Sequence, residues 1–233
     1  MDDLDRSTLP EWVPAMSESP EDLRNIGPLA IAFEGGVVAL ALAICWGAGR
    51  WPPLASGAGL GNAMLLVWGV AGALPMIAGL FLIDRWPVGP LAELKRFVET
   101  TLVPMFAGVS VLQMALISLA AGLGEEMLFR GLLQTAVAER VGPPHGLWVG
   151  LAIAALAFGA CHWVTTMYAC LAGLMGAYFG VLFIATGDLL TPVVAHGLYD
   201  FVALVYLVRC KSVTVGRAPG DQEDGGTSRD HAE

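Results

Sequence analysis

In a chain of 233 residues, 56% are hydrophobic and only 14% charged, with a mean hydropathy of +0.66, which is outside the range of ordinary soluble domains. The formal charge of −9 argues against nucleic acid as a partner, and it resides mainly in the two ends of the chain. Four scattered cysteines (Cys45, Cys161, Cys170, Cys210) form no CxxC pair or disulfide framework and read as buried small hydrophobes.

Residues 1–27 are acidic, polar and proline-bearing, the composition of a flexible tail. They lack the basic start and short apolar region of a cleaved leader, so the first apolar segment reads as a retained anchor. A bilayer core of about 30 Å needs about 20 apolar residues in a helix, which satisfies its own backbone hydrogen bonds where no water can. Windows at 28–48, 62–83 and 102–123 meet that need, followed by 145–163, 166–186 and 189–208. Between the third and fourth, residues 125–140 predict a shorter helix too polar to face lipid, carrying Glu125, Glu126, Arg130, Glu139 and Arg140. Residues 209–233 form a second polar tail. The pattern is an all-α polytopic membrane bundle of about six to eight membrane helices, with one membrane domain over 28–208. Arg85, Lys95 and Arg96 before the third window and Arg209 and Lys211 after the last place both segments on the cytoplasmic side, provided the crossings between them number four.

Ionisable residues at membrane depth are costly and mark functional sites by default. Here they are Glu34, Glu125, Glu126, Arg130, His162, His196 and Asp200, with Asp188 at a helix start. Taken singly, each has a structural explanation. Glu126 and Arg130 are four apart, the spacing of an ion pair; a lone histidine in an apolar helix is commonly a satisfied core group; Glu34 suits a structural cap or pair near the membrane edge, with contact to substrate as its alternative; Asp188 suits an N-cap before Pro192. Glu125 points about 100° away from Glu126 on a helix, so one carboxylate can be tied up while its neighbour stays available. Taken together, carboxylates and two histidines from three helical segments suit a hydrolase. One group acts as general base on water, and a histidine with its neighbour stabilises an oxyanion.

The stretches 125-EEMLFR-130, 158-FGACH-162 and 196-HGLYD-200 carry, in order, the motifs EExxxR, FxxxH and HxxxN or HxxxD. With 129-FRGLLQ-134 and 186-TGDLLTPVVAH-196 around them, the chain from about 100 to 208 resembles the CPBP intramembrane proteases. These include the type II CAAX prenyl endopeptidases and the Abi proteins. The resemblance implies an intramembrane endopeptidase, multi-pass in the cell membrane, acting on a peptide or lipidated protein substrate. It implies that Glu125 with His162 activates the attacking water and His196 with Asp200 forms the oxyanion site, supported by Glu126, Arg130 and Phe158. Many members carry Asn where Asp200 stands. An ionised Asp cannot donate a hydrogen bond, so Asp200 is either protonated or orients His196.

No cofactor is expected on this reading, but Glu125, His162, His196 and Asp200 are also zinc ligands by type, and a metallo-version of the same protease stays open. So do a non-catalytic membrane scaffold, an immunity-type protein and a proton-linked transporter.

Overall fold

The computed structural model describes residues 26–56 and 60–210, and the tails expected at 1–27 and 209–233 lie almost wholly outside them. Among the described residues the elements are helices, with a single bridge between Trp163 and Thr165 in place of any strand. α1 spans Ile26–Ala48 and α2 Leu60–Arg85. α3 (Pro90–Phe97) runs through wide turns at Val98–Leu102 into α4 (Val103–Phe106). α5 (Val111–Glu126) passes through wide i→i+5 turns at Met127–Gln134 into α6 (Thr135–Val141). Then come α7 (Gly146–Cys161), α8 (Thr166–Thr186) and α9 (Leu190–Val205), the last ending in a wide turn over Tyr206–Cys210.

Five segments are long and apolar enough to cross a membrane: Ile26–Ala48, Gly61–Arg85, Val111–Val141, Thr166–Thr186 and Leu190–Cys210. α7 is apolar but has only 16 residues. The protein is an all-α, multi-pass membrane protein. Phe33, Trp46, Leu112, Leu156 and Leu174 point outward, as side chains do when hydrocarbon rather than water surrounds them.

Two expectations need correction. The windows 102–123 and 125–140 are not two helices with a joint at 124. The helix starts at Val111, because Ser110 makes a capping box: its hydroxyl accepts the Gln113 N–H, and the Gln113 side chain accepts the Ser110 N–H. It then runs unbroken to Val141, since nothing stops it before Gly142, whose φ of +73° suits glycine. Of the cysteines, only Cys45 is buried, and Cys161, Cys170 and Cys210 lie on the outer surface, where a thiol facing lipid needs no cover.

α5 is the central helix. α1 packs along one side of it, α9 along another, α2 covers α9, and α7 pairs with α8. The α5–α9 approach is close because glycines meet: a Cβ on Gly122 would lie 2.9 Å from the Gly197 nitrogen. That contact brings His196, the neighbour of Gly197, against the stretch that carries Glu125. Apolar clusters close the bundle at both ends, one around Ala41, Cys45, Met127, Leu189 and Val193, the other around Val109, Met114, Ile117 and Val208.

Asp188 does more than begin α9. It accepts the Leu190 N–H at 2.8 Å, and also the Ala55 N–H, the Ser56 N–H and the Ser56 hydroxyl, so it pins the α1–α2 connection to the α8–α9 turn. Burial opposes the charge on Asp188, but these four donors outweigh it and hold the carboxyl below its usual range. A group with a lowered folded-state value stabilises above its unfolded value and loses that contribution as pH falls through the folded one. Asp188→Asn is therefore expected to cost about 1–3 kcal/mol near neutral pH. Melting curves of wild type and variant should converge as pH drops below about 4. A gap unchanged from neutral to acid pH would refute the role of the charge.

Candidate active site

The three sequence motifs meet between the two apolar clusters. Glu125 and Glu126 end the regular part of α5, His162 caps the C-terminus of α7, and His196 and Asp200 lie one turn apart on α9. A helix directs its adjacent glutamates to different partners, as their spacing predicts.

Glu126 and Arg130 are fully buried. The Arg130 guanidinium donates to Glu126 Oε1 at 2.8 Å and to the Gly176 carbonyl of α8 at 2.8 Å. It also stands 4.6 Å from the Phe158 ring centroid and 5.3 Å from that of Phe179. Gly176 lets α8 come this close: a Cβ would lie 3.2 Å from an Arg130 nitrogen and 3.1 Å from the Phe158 side chain, so these neighbours would have to shift. Wide turns over Met127–Gln134 carry this arginine inward, and the Thr135 hydroxyl donates to the Arg130 carbonyl at 3.0 Å, satisfying an acceptor within that stretch.

The same Glu126 Oε1 faces His196 Nδ1 at 2.9 Å. On its other edge, His196 Nε2 lies 3.3 Å from Asp200 Oδ2. Both ring nitrogens thus face carboxylate oxygens, the surroundings of a ring that donates from each. Phe179 stacks on the ring with centroids 4.6 Å apart and 17° between planes, which fixes its tilt.

His162 is held differently. Its Nδ1 lies 2.8 Å from the Phe158 carbonyl, which can only accept, so Nδ1 carries the hydrogen and Nε2 is left with its lone pair. Phe158 stacks on the ring at 4.4 Å, and Tyr168 meets it edge-on at 6.1 Å.

Glu125 sits between the histidines. Its Oε1 is 3.9 Å from His162 Nε2 and its Oε2 3.9 Å from His196 Nε2, both too long for direct hydrogen bonds. A gap of that length between Glu125 and His162 is one that a single bridging water can span with bonds of about 2.8 Å to each side. Exposure separates the groups. The Glu125, His162 and Asp200 side chains are 14%, 25% and 27% exposed, while those of Glu126 and Arg130 are at zero.

The seven residues of the three motifs, Glu125, Glu126, Arg130, Phe158, His162, His196 and Asp200, converge, and two more take part that the sequence did not mark. Gly176 and Phe179 lie on one face of α8, but only the packing of α8 on Arg130 gives that spacing meaning. The second hydrogen bond of Glu126, to His196, also needs the α5–α9 approach. A separate cavity of about 790 Å³, lined by residues including Arg50, Gln134 and Glu139, contains none of the three motif centres.

Among the described residues, no three His, Cys, Asp or Glu side chains form a group able to hold a metal ion. His196 has both nitrogens turned to carboxylates, which leaves it poorly disposed to be a ligand.

Residues 107–202 match the family model described as type II CAAX prenyl endopeptidase Rce1-like. Neither the curated proteins nor the solved structures contain a match. The match spans all three motif centres, so over these residues the chain is similar to the Rce1-like type II CAAX prenyl endopeptidases.

Removing the guanidinium would leave Glu126 buried with one donor fewer and open a void against Phe158 and Phe179. Arg130→Ala is expected to cost about 3–5 kcal/mol and to lower the yield of folded, detergent-extracted protein. An Arg130→Ala protein that melts at the wild-type temperature would show that the arginine is not the structural tie.

Proposed function

We propose that the protein is an intramembrane endopeptidase that hydrolyses a peptide bond with water activated by Glu125 and His162. The observation that carries this reading is the placement of the Glu125 carboxylate, 3.9 Å from each of two histidine Nε2 atoms, with Oε2 buried and free of any hydrogen bond. Carboxylate and imidazole lone pair face one small space from two sides, where a water can lose a proton to Glu125 while its oxygen is aimed at a carbonyl carbon.

Bond making and breaking then balance without any further reagent. The water oxygen adds to the carbonyl carbon of the scissile peptide, and the carbonyl oxygen takes up negative charge. His196, kept doubly protonated between Glu126 and Asp200, donates from Nε2 to that oxyanion; on this reading Asp200 orients and charges the histidine rather than donating itself. Collapse breaks the C–N bond, and Glu125 returns the proton to the leaving amine. Apolar packing around the cluster keeps bulk water out, which strengthens each of these interactions.

The family match favours a substrate with a prenylated C-terminal C-a-a-X sequence, whose lipid would partition into the bilayer beside the site. A zinc-dependent version would draw on the same four residues. It finds some support in the His162 Nδ1–H held by a carbonyl, an arrangement common behind metal-bound imidazoles. The engaged state of His196 favours the glutamate mechanism instead.

Glu125→Gln and His162→Ala should each lower cleavage of a farnesylated C-a-a-X peptide by about 100-fold or more, with expression and melting temperature unchanged. Retained cleavage by purified, folded Glu125→Gln protein would overturn the reading. Dialysis against 1,10-phenanthroline should leave the rate of the wild type intact. Loss of activity restored by added zinc would establish the metal-dependent mechanism.

A further inference from the structure

Glu34 is the only charge in the 23 residues of α1, and it lies outside the family match and outside the reading just given. α1 and α5 run parallel: a Cβ on Gly27 would meet Gln113, and one on Gly124 would meet Val38. Two apolar patches fasten them, Ile26, Ala30 and Ile31 at one end and Ala41 and Cys45 at the other. Glu34 falls between the patches, at the level of the stretch leading to Glu125. The titratable groups within electrostatic reach of it are Glu125, Asp200, His196 and His162, the four groups assigned the chemistry. α1 packs along α5, and no comparable face joins it to α7, α8 or α9, so of the helices that carry the chemical groups it is α5 that α1 lies beside.

One of its oxygens, Oε2, is buried and accepts no hydrogen bond. An ionised carboxylate can only accept, and leaving a buried oxygen without a donor is costly. The neighbouring groups cannot supply one. Glu125 and Asp200 are acceptors, His196 faces Glu126 and Asp200, and the hydrogen of His162 goes to the Phe158 carbonyl. A peptide entering from lipid has the opposite lack, because its backbone N–H groups lose water and need acceptors.

We propose that Glu34 is a substrate-binding residue whose free carboxylate oxygen accepts a backbone N–H of the peptide lying across Glu125 and His162. This rests on the endopeptidase reading, and the membrane-embedded α1 thereby contributes to a site whose chemical groups all come from α5, α7 and α9. The bond needs an acceptor oxygen rather than a full charge, so a glutamine should serve where an aliphatic residue cannot.

Binding can be measured apart from turnover in purified Glu125→Gln protein, with a fluorescent peptide bearing an S-farnesyl cysteine followed by three aliphatic residues as the probe. Adding Glu34→Ala should weaken its Kd about tenfold, while Glu34→Gln should stay within about threefold of the parent. With Glu125 intact, Glu34→Ala should raise KM and leave kcat within about twofold. Glu34→Leu, closer in volume, takes the place of Glu34→Ala if that variant yields no folded protein. Equal affinities of the Glu34→Ala protein and the parent, equal weakening by Ala and Gln, a loss confined to kcat, or no binding by the parent would each overturn the proposal. Full cleavage by Glu125→Gln protein would instead defeat the catalytic reading, and the affinity ratio would still decide the role of Glu34.

Discussion

A single buried guanidinium holds the site together. Arg130 joins the Glu126 carboxylate, the Gly176 carbonyl and the rings of Phe158 and Phe179, and so ties the central helix to α7 and α8 at one point. Through Glu126 it also reaches His196 on α9. An unpaired charge at this depth would be expelled or neutralised, so the cluster is stable only as a whole. The constraint explains several otherwise unrelated features: a glycine at 176, wide turns from Met127 onward, and phenylalanines on both sides of the cation.

The same cluster divides labour between neighbours. Glu126 is wholly enclosed and has its partners, whereas Glu125, one residue earlier, faces a partly open space with none in direct reach. Helical geometry makes this possible, since adjacent side chains diverge by about 100°. Glu126 keeps His196 in place from behind, and the Phe158 carbonyl does the same for His162, so each imidazole presents Nε2 to Glu125. Backbone and buried side chains thus choose which nitrogen of each ring is available, and they do so before any substrate arrives.

Lipid as solvent accounts for the rest of the architecture. Large apolar residues need no cover on the outside, so close packing is concentrated where helices must approach, at Gly122 against Gly197 and at Gly176 beside Arg130. Polar connections outside the apolar spans are stabilised by local hydrogen bonds, as Asp188 shows by joining the turns on either side of it. Even the proline within α2 follows this logic. Pro75 removes a backbone donor in mid-helix, and the Tyr178 hydroxyl of α8 donates to the nearby Gly72 carbonyl.

The sequence by itself determined that the chain is helical and membrane-embedded, because long apolar windows leave the backbone no other way to satisfy its hydrogen bonds. It also marked Glu34, Glu125, Glu126, Arg130, His162, His196 and Asp200, since charged or imidazole side chains stand out in apolar text, and Phe158 through its place in the FxxxH motif. Helical spacing was enough to pair Glu126 with Arg130 and to turn Glu125 elsewhere. Only the tertiary structure decided that α5 and α6 form one continuous helix, because the end of a helix depends on caps and breakers that weigh more than a change of polarity at residue 124. It alone also enlisted Gly176 and Phe179, and it set Glu34, which the sequence had marked, beside α5. Their roles depend on which helix lies opposite, and that is set by contacts between residues far apart in the chain, which periodicity along one segment cannot encode.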